Sequence, residues 1–307
     1  MKISFGSDPE FMVVRDNQYY SAIGIVQGDA ENRITVSGHQ FYYDNVMAEC
    51  AVKPAKTRSC VLKSFRECFQ IYARMVQPFR LHVQASQEYP EEQLIHPDAR
   101  KVGCAPDSCA YEMELKEPPV AIIEQTSFRS CGGHVHIGHP LLAGDGPEPW
   151  LAVYLLDLFI AVPSLWIDRD VSSGPRRTLY GQAGRYRTKD YGIEYRSLGN
   201  FWLKSPRLVA WVYGVCDFVV SFIEDGRASS VWTFDPEVFF ESEKRSDAWT
   251  CHLYDPHRLR VGIDSNKPDL VAEHYDLARS LLPRNLSAEI DFLVEDKPDL
   301  YESWQLS

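Results

Sequence analysis

Cys131-Gly132-Gly133-His134-Val135-His136-Ile137-Gly138 is the stretch on which the reading of this chain turns. Val135 and Ile137 alternate with the histidines, and alternation of apolar and polar residues marks a β-strand with one wet face. Successive side chains of a strand point to opposite sides, so His134 and His136 share a face. Neutral imidazole is a common metal ligand and a good neighbour for phosphate. A lone HxH strand can equally be two hydrogen-bonded histidines on a solvated surface. Its meaning here comes from other strands that carry pairs of the same kind.

The first is Asp8 and Glu10 in Ser7-Asp8-Pro9-Glu10-Phe11. Two acids on one strand face repel unless a cation lies between them. Pro9 removes a ladder donor and predicts an edge or a bulge. The second is Glu194 and Arg196 in Tyr191-Gly192-Ile193-Glu194-Tyr195-Arg196, with Ile193 and Tyr195 on the opposite, apolar face. As an exposed intra-strand ion pair it would contribute little. Tyr43-Asp44-Asn45-Val46-Met47-Ala48-Glu49 adds further acids. Asp44 and Glu49 differ in parity, so both reach one site only if a bulge or turn intervenes. Glu49, in the more regular part, is the stronger candidate.

The loop before Glu194 carries Arg176, Arg177, Arg185, Arg187 and Lys189 beside Gly181, Gly184 and Gly192. In a chain of net charge −11 this basic cluster stands out. Carboxylate oxygens suit Mg²⁺ or Mn²⁺, imidazole is acceptable to Mn²⁺, and the acids come without a cysteine ligand, unlike structural zinc. Such ions commonly bridge nucleotide phosphates, whose oxygens the cations would hold and neutralise. Neither a P-loop GxxxxGK[ST] nor a GxGxxG is present, so those nucleotide folds have no support.

The 307 residues are enough for a large core, and 45% apolar with 12% aromatic content is that of an ordinary folded enzyme. Net acidity argues against a general nucleic-acid or anionic-membrane surface. The first residues do not read as a signal peptide, and the apolar run 150–167 is broken by Asp157 and Pro163, which argues against a membrane span. The eight cysteines form no CxxC pair, Cys104 and Cys109 being the nearest approach. Buried reduced thiols and a cytoplasmic location are expected.

Strands are expected over 3–14, 19–25, 41–52, 80–87, 119–127, 132–138 and 193–203. Helices are expected over 56–79, 148–168 (bent or ended at Pro163), 205–225 and 268–282, with irregular chain over 88–118 and a polar loop over 169–192. Strands adjoining strands, with helices between hairpins, predict an α+β fold with an antiparallel sheet.

The order of acid-x-acid strand, acidic strand, GGHVHIG, arginine-rich loop and YGIEYR resembles the carboxylate–amine ligases of glutamine-synthetase-like fold, the group that includes glutamate–cysteine ligases. More closely, it resembles the amidoligases of bacteriophages. The matching elements run from Gly6 to Leu203. The resemblance implies one amidoligase domain over 1–307, its motifs within about 1–225, while 226–307 carries none. It implies an antiparallel sheet curved into a funnel, with ATP at one end and Mg²⁺ (or Mn²⁺) in the throat. Glu10, Glu49, His134 or His136, and Glu194 fall on metal and phosphate positions. Asp8 stands where the family often has a glutamate. Arg196 falls near the acyl phosphate or substrate carboxylate, and Arg185, Arg187 and Lys189 by the ATP phosphates.

The implied reaction activates a carboxylate as an acyl phosphate, which an amine then displaces. Glu49, Asp44 and other acids remain candidates to take the amine's proton. Substrates would be small-molecule or peptide carboxylates and amines, a modified nucleotide among them, and related folds often form oligomers. Two other classes compete: a hydrolase with zinc on His134 and His136, and a non-catalytic phage structural or DNA-associated protein.

Overall fold

β1, Ser4–Arg15, organises the computed structural model, which describes residues 3–101, 105–144 and 146–307. After it come β2 (Gln18–Tyr20), β3 (Ile34–Val36), β4 (His39–Asp44), β5 (Met47–Ala55), helix α1 (Arg58–Met75), β6 (Arg80–His82), β7 (Ser86–Glu88), β8 (Asp107–Cys109) and β9 (Glu114–Lys116). Then follow α2 (Val120–Gln125), β10 (Phe128–Ser130), β11 (Gly133–Gly138), α3 (Pro147–Leu156), α4 (Val162–Ile167), α5 (Ser173–Arg177), β12 (Arg185–Lys189), β13 (Gly192–Tyr195) and α6 (Pro206–Glu224). The C-terminal part holds β14 (Trp232–Phe234), α7 (Pro236–Glu241), β15 (Trp249–Cys251), α8 (Pro256–Asp264), α9 (Ala272–Leu281), α10 (Arg284–Glu295) and α11 (Leu300–Trp304).

The main sheet runs β3-β4-β5-β1-β11-β13-β12-β8-β9, with β2 and β6 also paired to β1, and its ladders are antiparallel. The α+β class and a helix-flanked antiparallel sheet therefore hold. The funnel of a glutamine-synthetase-like fold does not. The strand path has two ends, the three-residue β3 and β9, and among the described residues no ladder joins them. A sheet closes only when its edge strands pair with each other.

One face of this sheet is apolar, and helices cover it. Phe5, Phe11 and Val13 of β1, Val135 and Ile137 of β11, and Ile193 and Tyr195 of β13 are all buried on that side. α1 presents Val61, Phe65, Phe69 and Tyr72 to it, at the three- and four-residue spacing of one helix face. Phe11 meets Phe69 edge-on with ring centroids 5.3 Å apart. Burying a side chain of this size is worth about 1.5–3 kcal/mol. α1 starts at Thr57, whose hydroxyl accepts from the Cys60 N–H, and α6 starts at Ser205, which accepts from the Leu208 N–H. The core cluster runs from Ile3 to Trp304, so the C-terminal helices pack on the same hydrophobic mass.

Several local expectations are corrected. The expected strand 41–52 is a hairpin, turned at Asn45 with φ +56°, which pairs Tyr42 with Glu49 and Asp44 with Met47. Pro9 marks no edge, since β1 lies between β5 and β11. The Glu10 N–H points to Gly132 O on the β11 side, so the N–H that Pro9 lacks would point to β5. There the pairing passes from Ser7–Val52 to Glu10–Glu49 without using Pro9. Residues 120–125 are helical rather than extended, and only Ile123 of them is buried. The polar loop 169–192 contains α5 and β12, and 226–307 holds five helices where the sequence showed one.

The long apolar helix is interrupted earlier than Pro163, by a π-helical turn over Asp157–Ala161 in which Val162 N–H reaches Asp157 O. Pro163 has no N–H to give the preceding turn, and the wider turn absorbs this. Asp157 is fully buried there, accepting from Tyr195 OH at 2.6 Å and Gly184 N–H at 2.7 Å. Burial pushes its carboxyl up to about 7 against those two donors. Asp157→Asn turns an NH2 donor toward one of these two donors, and an expected loss of about 1–3 kcal/mol is measurable by urea denaturation. Two helical stretches, Pro147–Ile167 and Pro206–Glu224, are long and apolar enough to cross a membrane, but 78% and 67% of their apolar windows lie buried in this fold.

Candidate active site

The polar face of the sheet collects the predicted residues because antiparallel register places them opposite one another. Asp8 of β1 pairs with His134 of β11, His136 with Glu194 of β13, and Glu194 with Arg187 of β12. On the other flank, Glu10 pairs with Glu49, and Glu49 with Tyr42. The hairpin turn at Asn45 supplies the parity change that lets Asp44 and Glu49 face the same side. A cleft of about 560 Å³ is lined by Asp8, Glu10, Asp44, Glu49, His134, His136, Arg187, Lys189, Glu194 and Arg196.

Two glycines shape the entry to β11. A Cβ on Gly133 would lie 2.6 Å from Gly199 O and 2.7 Å from Trp202 Nε1. The bare backbone lets Trp202 Nε1 donate to Gly133 O at 3.0 Å. Next to it, Gly132 N–H donates to Glu10 Oε2 at 2.5 Å. The GGHVH motif is thus both a packing device and part of the cleft wall.

Asp8 Oδ1 lies 3.2 Å from both His134 Nδ1 and His136 Nε2. Burial raises the Asp8 carboxyl, but His136 and His134 outweigh it and hold Asp8 well below the usual range. His136 is lowered by burial, but Asp8 and Glu194 together raise it more, for a net rise. Asp8 Oδ1 and His136 Nε2 are both buried and make no hydrogen bond among the described residues. Together with Glu194 they bring three ligand atoms within 4.8 Å of one another. Two carboxylates and an imidazole fit a divalent cation that accepts mixed oxygen and nitrogen donors.

Glu194 is the anionic centre of the basic strands. Lys189 Nζ stands 2.7 Å from Oε2, Arg187 Nη1 stands 3.4 Å from Oε1, and Arg196 Nη1 contacts Oε1 directly. Burial and Asp8 push its carboxyl up, yet Arg196 and the two imidazoles bring it down to about 2. The acids at the other flank behave oppositely. Burial, then Glu10, Asp44 and Asp8, push Glu49 well above the usual range, although Tyr42 OH donates to it at 2.7 Å. Burial and Glu10 raise Asp44 to about 6. Arg33, which lines the cleft with its guanidinium 4.1 Å from the Tyr42 ring, offsets these acids only in part, and a bound divalent cation would balance the rest.

The five loop cations divide. Arg187 and Lys189 face the cleft, whereas Arg176 and Arg177 are buried in α5, where Arg177 Nη1 donates to Gly181 O at 2.7 Å. Arg185 lines neither the cleft nor the small chamber beside it; it pairs with Asp107. Asp107 also holds Arg196 Nε at 3.2 Å and went unnoticed in the sequence, because it lies in an aperiodic Pro- and Cys-rich segment. Tyr191 was missed too. Its hydroxyl contacts His136 Nδ1 and its ring stacks on the imidazole at 6.1 Å. The seven described cysteines are free thiols, five of them buried, and Cys104 lies outside the described residues.

The fold and cleft define a charged, open-sheet α+β protein with a mixed acid, imidazole and guanidinium site. Residues 123–244 match the family described as phage phiEco32-like COOH.NH2 ligase-type 2. The match spans less than half the chain and takes in His134, His136, Arg185, Arg187, Lys189, Glu194 and Arg196, but not Asp8, Glu10 or Glu49. No curated protein matches the chain. The resemblance to phage carboxylate–amine ligases is borne out over that segment.

Proposed function

We propose that this protein is an ATP-dependent ligase that joins a carboxylate to an amine through an acyl phosphate, with Mg²⁺ or Mn²⁺ as cofactor. The observation that carries this reading is the convergence, in one cleft, of Asp8, Glu10, Glu49 and Glu194 with Arg187, Lys189 and Arg196. A divalent cation held by Asp8, His136 and Glu194 would neutralise phosphate oxygens when bound. Arg187, Lys189 and Arg196 offer N–H donors to the transferred phosphoryl group, in a place where water is partly excluded. The carboxylate attacks the γ-phosphate and ADP leaves; the amine then attacks the acyl carbon and phosphate leaves. Asp44, raised to about 6, is tuned to take the amine's proton near neutral pH. Free thiols accord with work in a reducing cytoplasm.

Incubation with Mg-ATP or Mn-ATP, pooled amino acids and short amines should release ADP and phosphate, with an amide visible by mass spectrometry. Absence of both ATP binding and ADP release would overturn the reading. Tight zinc with nucleotide-independent hydrolysis would replace it with the hydrolase.

Tyr191 fixes the orientation of His136 by contacting Nδ1, so that Nε2 faces Asp8. Outer partners of metal-binding histidines typically matter about 10- to 100-fold in affinity. Tyr191→Phe keeps the ring and is expected to weaken Mn²⁺ binding by about that factor in calorimetric titration. Its melting temperature should be unchanged, because the side chain is half-exposed.

A further inference from the structure

Beside the cleft lies a smaller chamber of about 60 Å³, and Glu10, Asp44, His134 and Arg196 line both. Two further guanidinium groups and three apolar side chains distinguish it: Arg129 and Arg176 enter its wall, and Met47, Phe128 and Leu179 make it partly apolar. The three arginines of this wall are not in the same condition. Arg196 is paired with Glu194 and Asp107. Arg129 spends its donors on Ala99 O, Thr126 O, Phe128 O and Asn45 Oδ1. Arg176 is 2% exposed, and the side-chain hydrogen bond it makes runs from Nε to Cys131 O at 2.8 Å. Among the described residues it has no carboxylate partner.

A buried guanidinium without an anion is costly, and the cost is removed when a carboxylate supplies the missing charge and acceptors. Burial and the neighbouring Arg177 lower Arg176 to about 10, and the charge of Glu10 across the chamber, which makes no hydrogen bond to it among the described residues, offsets this only in part. The free space would hold roughly four waters. We infer that the chamber is a binding site for a small aliphatic carboxylate, its charged end on Arg176 and its methylenes against Met47, Phe128 and Leu179. As a bare binding site this does not depend on the ligase reading. As the seat of the carboxylate substrate, on the far side of Arg196 from Arg187 and Lys189, it rests on that reading.

The test titrates propionate, and separately propylamine as its cation of equal size, into the full chain without nucleotide, followed by ligand-observed NMR. Propionate should bind and propylamine should not. Arg176→Lys, which keeps charge but loses the planar fork, should weaken propionate about tenfold. Leu179→Phe, which leaves the buried charge in place and fills the chamber, should abolish binding. No propionate binding, preferred binding of propylamine, or propionate binding unchanged in both variants overturns the assignment. If propionate binds as expected but no carboxylate–amine pair releases ADP from ATP, the ligase reading falls and the chamber stands. If ADP is released and the carboxylate KM is unmoved by Leu179→Phe, the chamber falls and the ligase stands.

Discussion

Glu194→Ala is expected to abolish ADP release and to destabilise the fold by about 3–5 kcal/mol, the cost of stranding buried partners of an ion pair. The substitution removes the carboxylate on which Lys189, Arg187 and Arg196 converge, and leaves three cations on adjoining strands facing one another. Glu194→Gln separates the two effects. It keeps the shape and some hydrogen bonding, so it should fold better than the alanine variant and still lose turnover by about 10²–10³. The stability linkage can be signed. Glu194 titrates at about 2 in the fold, below the ordinary glutamate value. Its stabilising contribution is complete above about pH 4.3 and is lost as the pH falls toward 2. Urea denaturation of the wild type and Glu194→Gln at pH 7 and pH 3 should therefore give a smaller difference at the lower pH. A constant difference would show that charge on Glu194 is not what holds the three cations.

Glu49→Gln should move stability and activity in opposite directions. Glu49 is pushed above its ordinary range by burial and by Glu10, Asp44 and Asp8, so its ionised form is disfavoured in the fold. The folded state then binds a proton that the unfolded chain has lost, and stability falls as the pH rises above about 4.3. Glutamine cannot ionise and escapes that loss. Without divalent cation the variant should be more stable by about 0.5–2 kcal/mol at pH 7–8, with the gap widening as the pH rises. Turnover should fall about 100-fold, because glutamine cannot supply the negative charge that a bound divalent cation would draw from Glu49. Mn²⁺ should raise the melting temperature of the wild type more than that of the variant. Equal shifts would remove Glu49 from any cation-binding role.

The site was more legible than the fold. Strand parity in Asp8-x-Glu10, His134-x-His136 and Glu194-x-Arg196 names one face of three strands, and period-2 geometry needs no tertiary information. The amphipathic spacing of α1 was legible for the same reason. The turn at Asn45 was not, since Asp44-Asn45-Val46 lacks glycine and sits inside a β-forming run; asparagine's tolerance of positive φ was the available clue. The five loop cations looked alike as a composition, and only packing separates buried Arg176 and Arg177 from cleft-facing Arg187 and Lys189. Closure of the sheet was a property borrowed with the resemblance. Strand order and free edges are set by long-range pairing, which no local pattern encodes. Of the C-terminal helices only α9 stands out in the sequence; α7, α8, α10 and α11 do not, because they are short and begin with Pro or Asp signals amid mixed polarity.

The strict division of the sheet into an apolar and a charged face has a consequence for how the chain finds its structure. A slip of β11 by one residue against β1 would send His134 and His136 into the layer beneath α1 and expose Val135 and Ile137 to the cleft. The same slip of β13 would turn Glu194 and Arg196 into the apolar layer and strand Tyr195 away from Asp157. Each misregistered pairing would thus carry an ionic penalty on one side and an apolar one on the other. The charges that line the cleft in the finished protein also act as proofreaders while it folds.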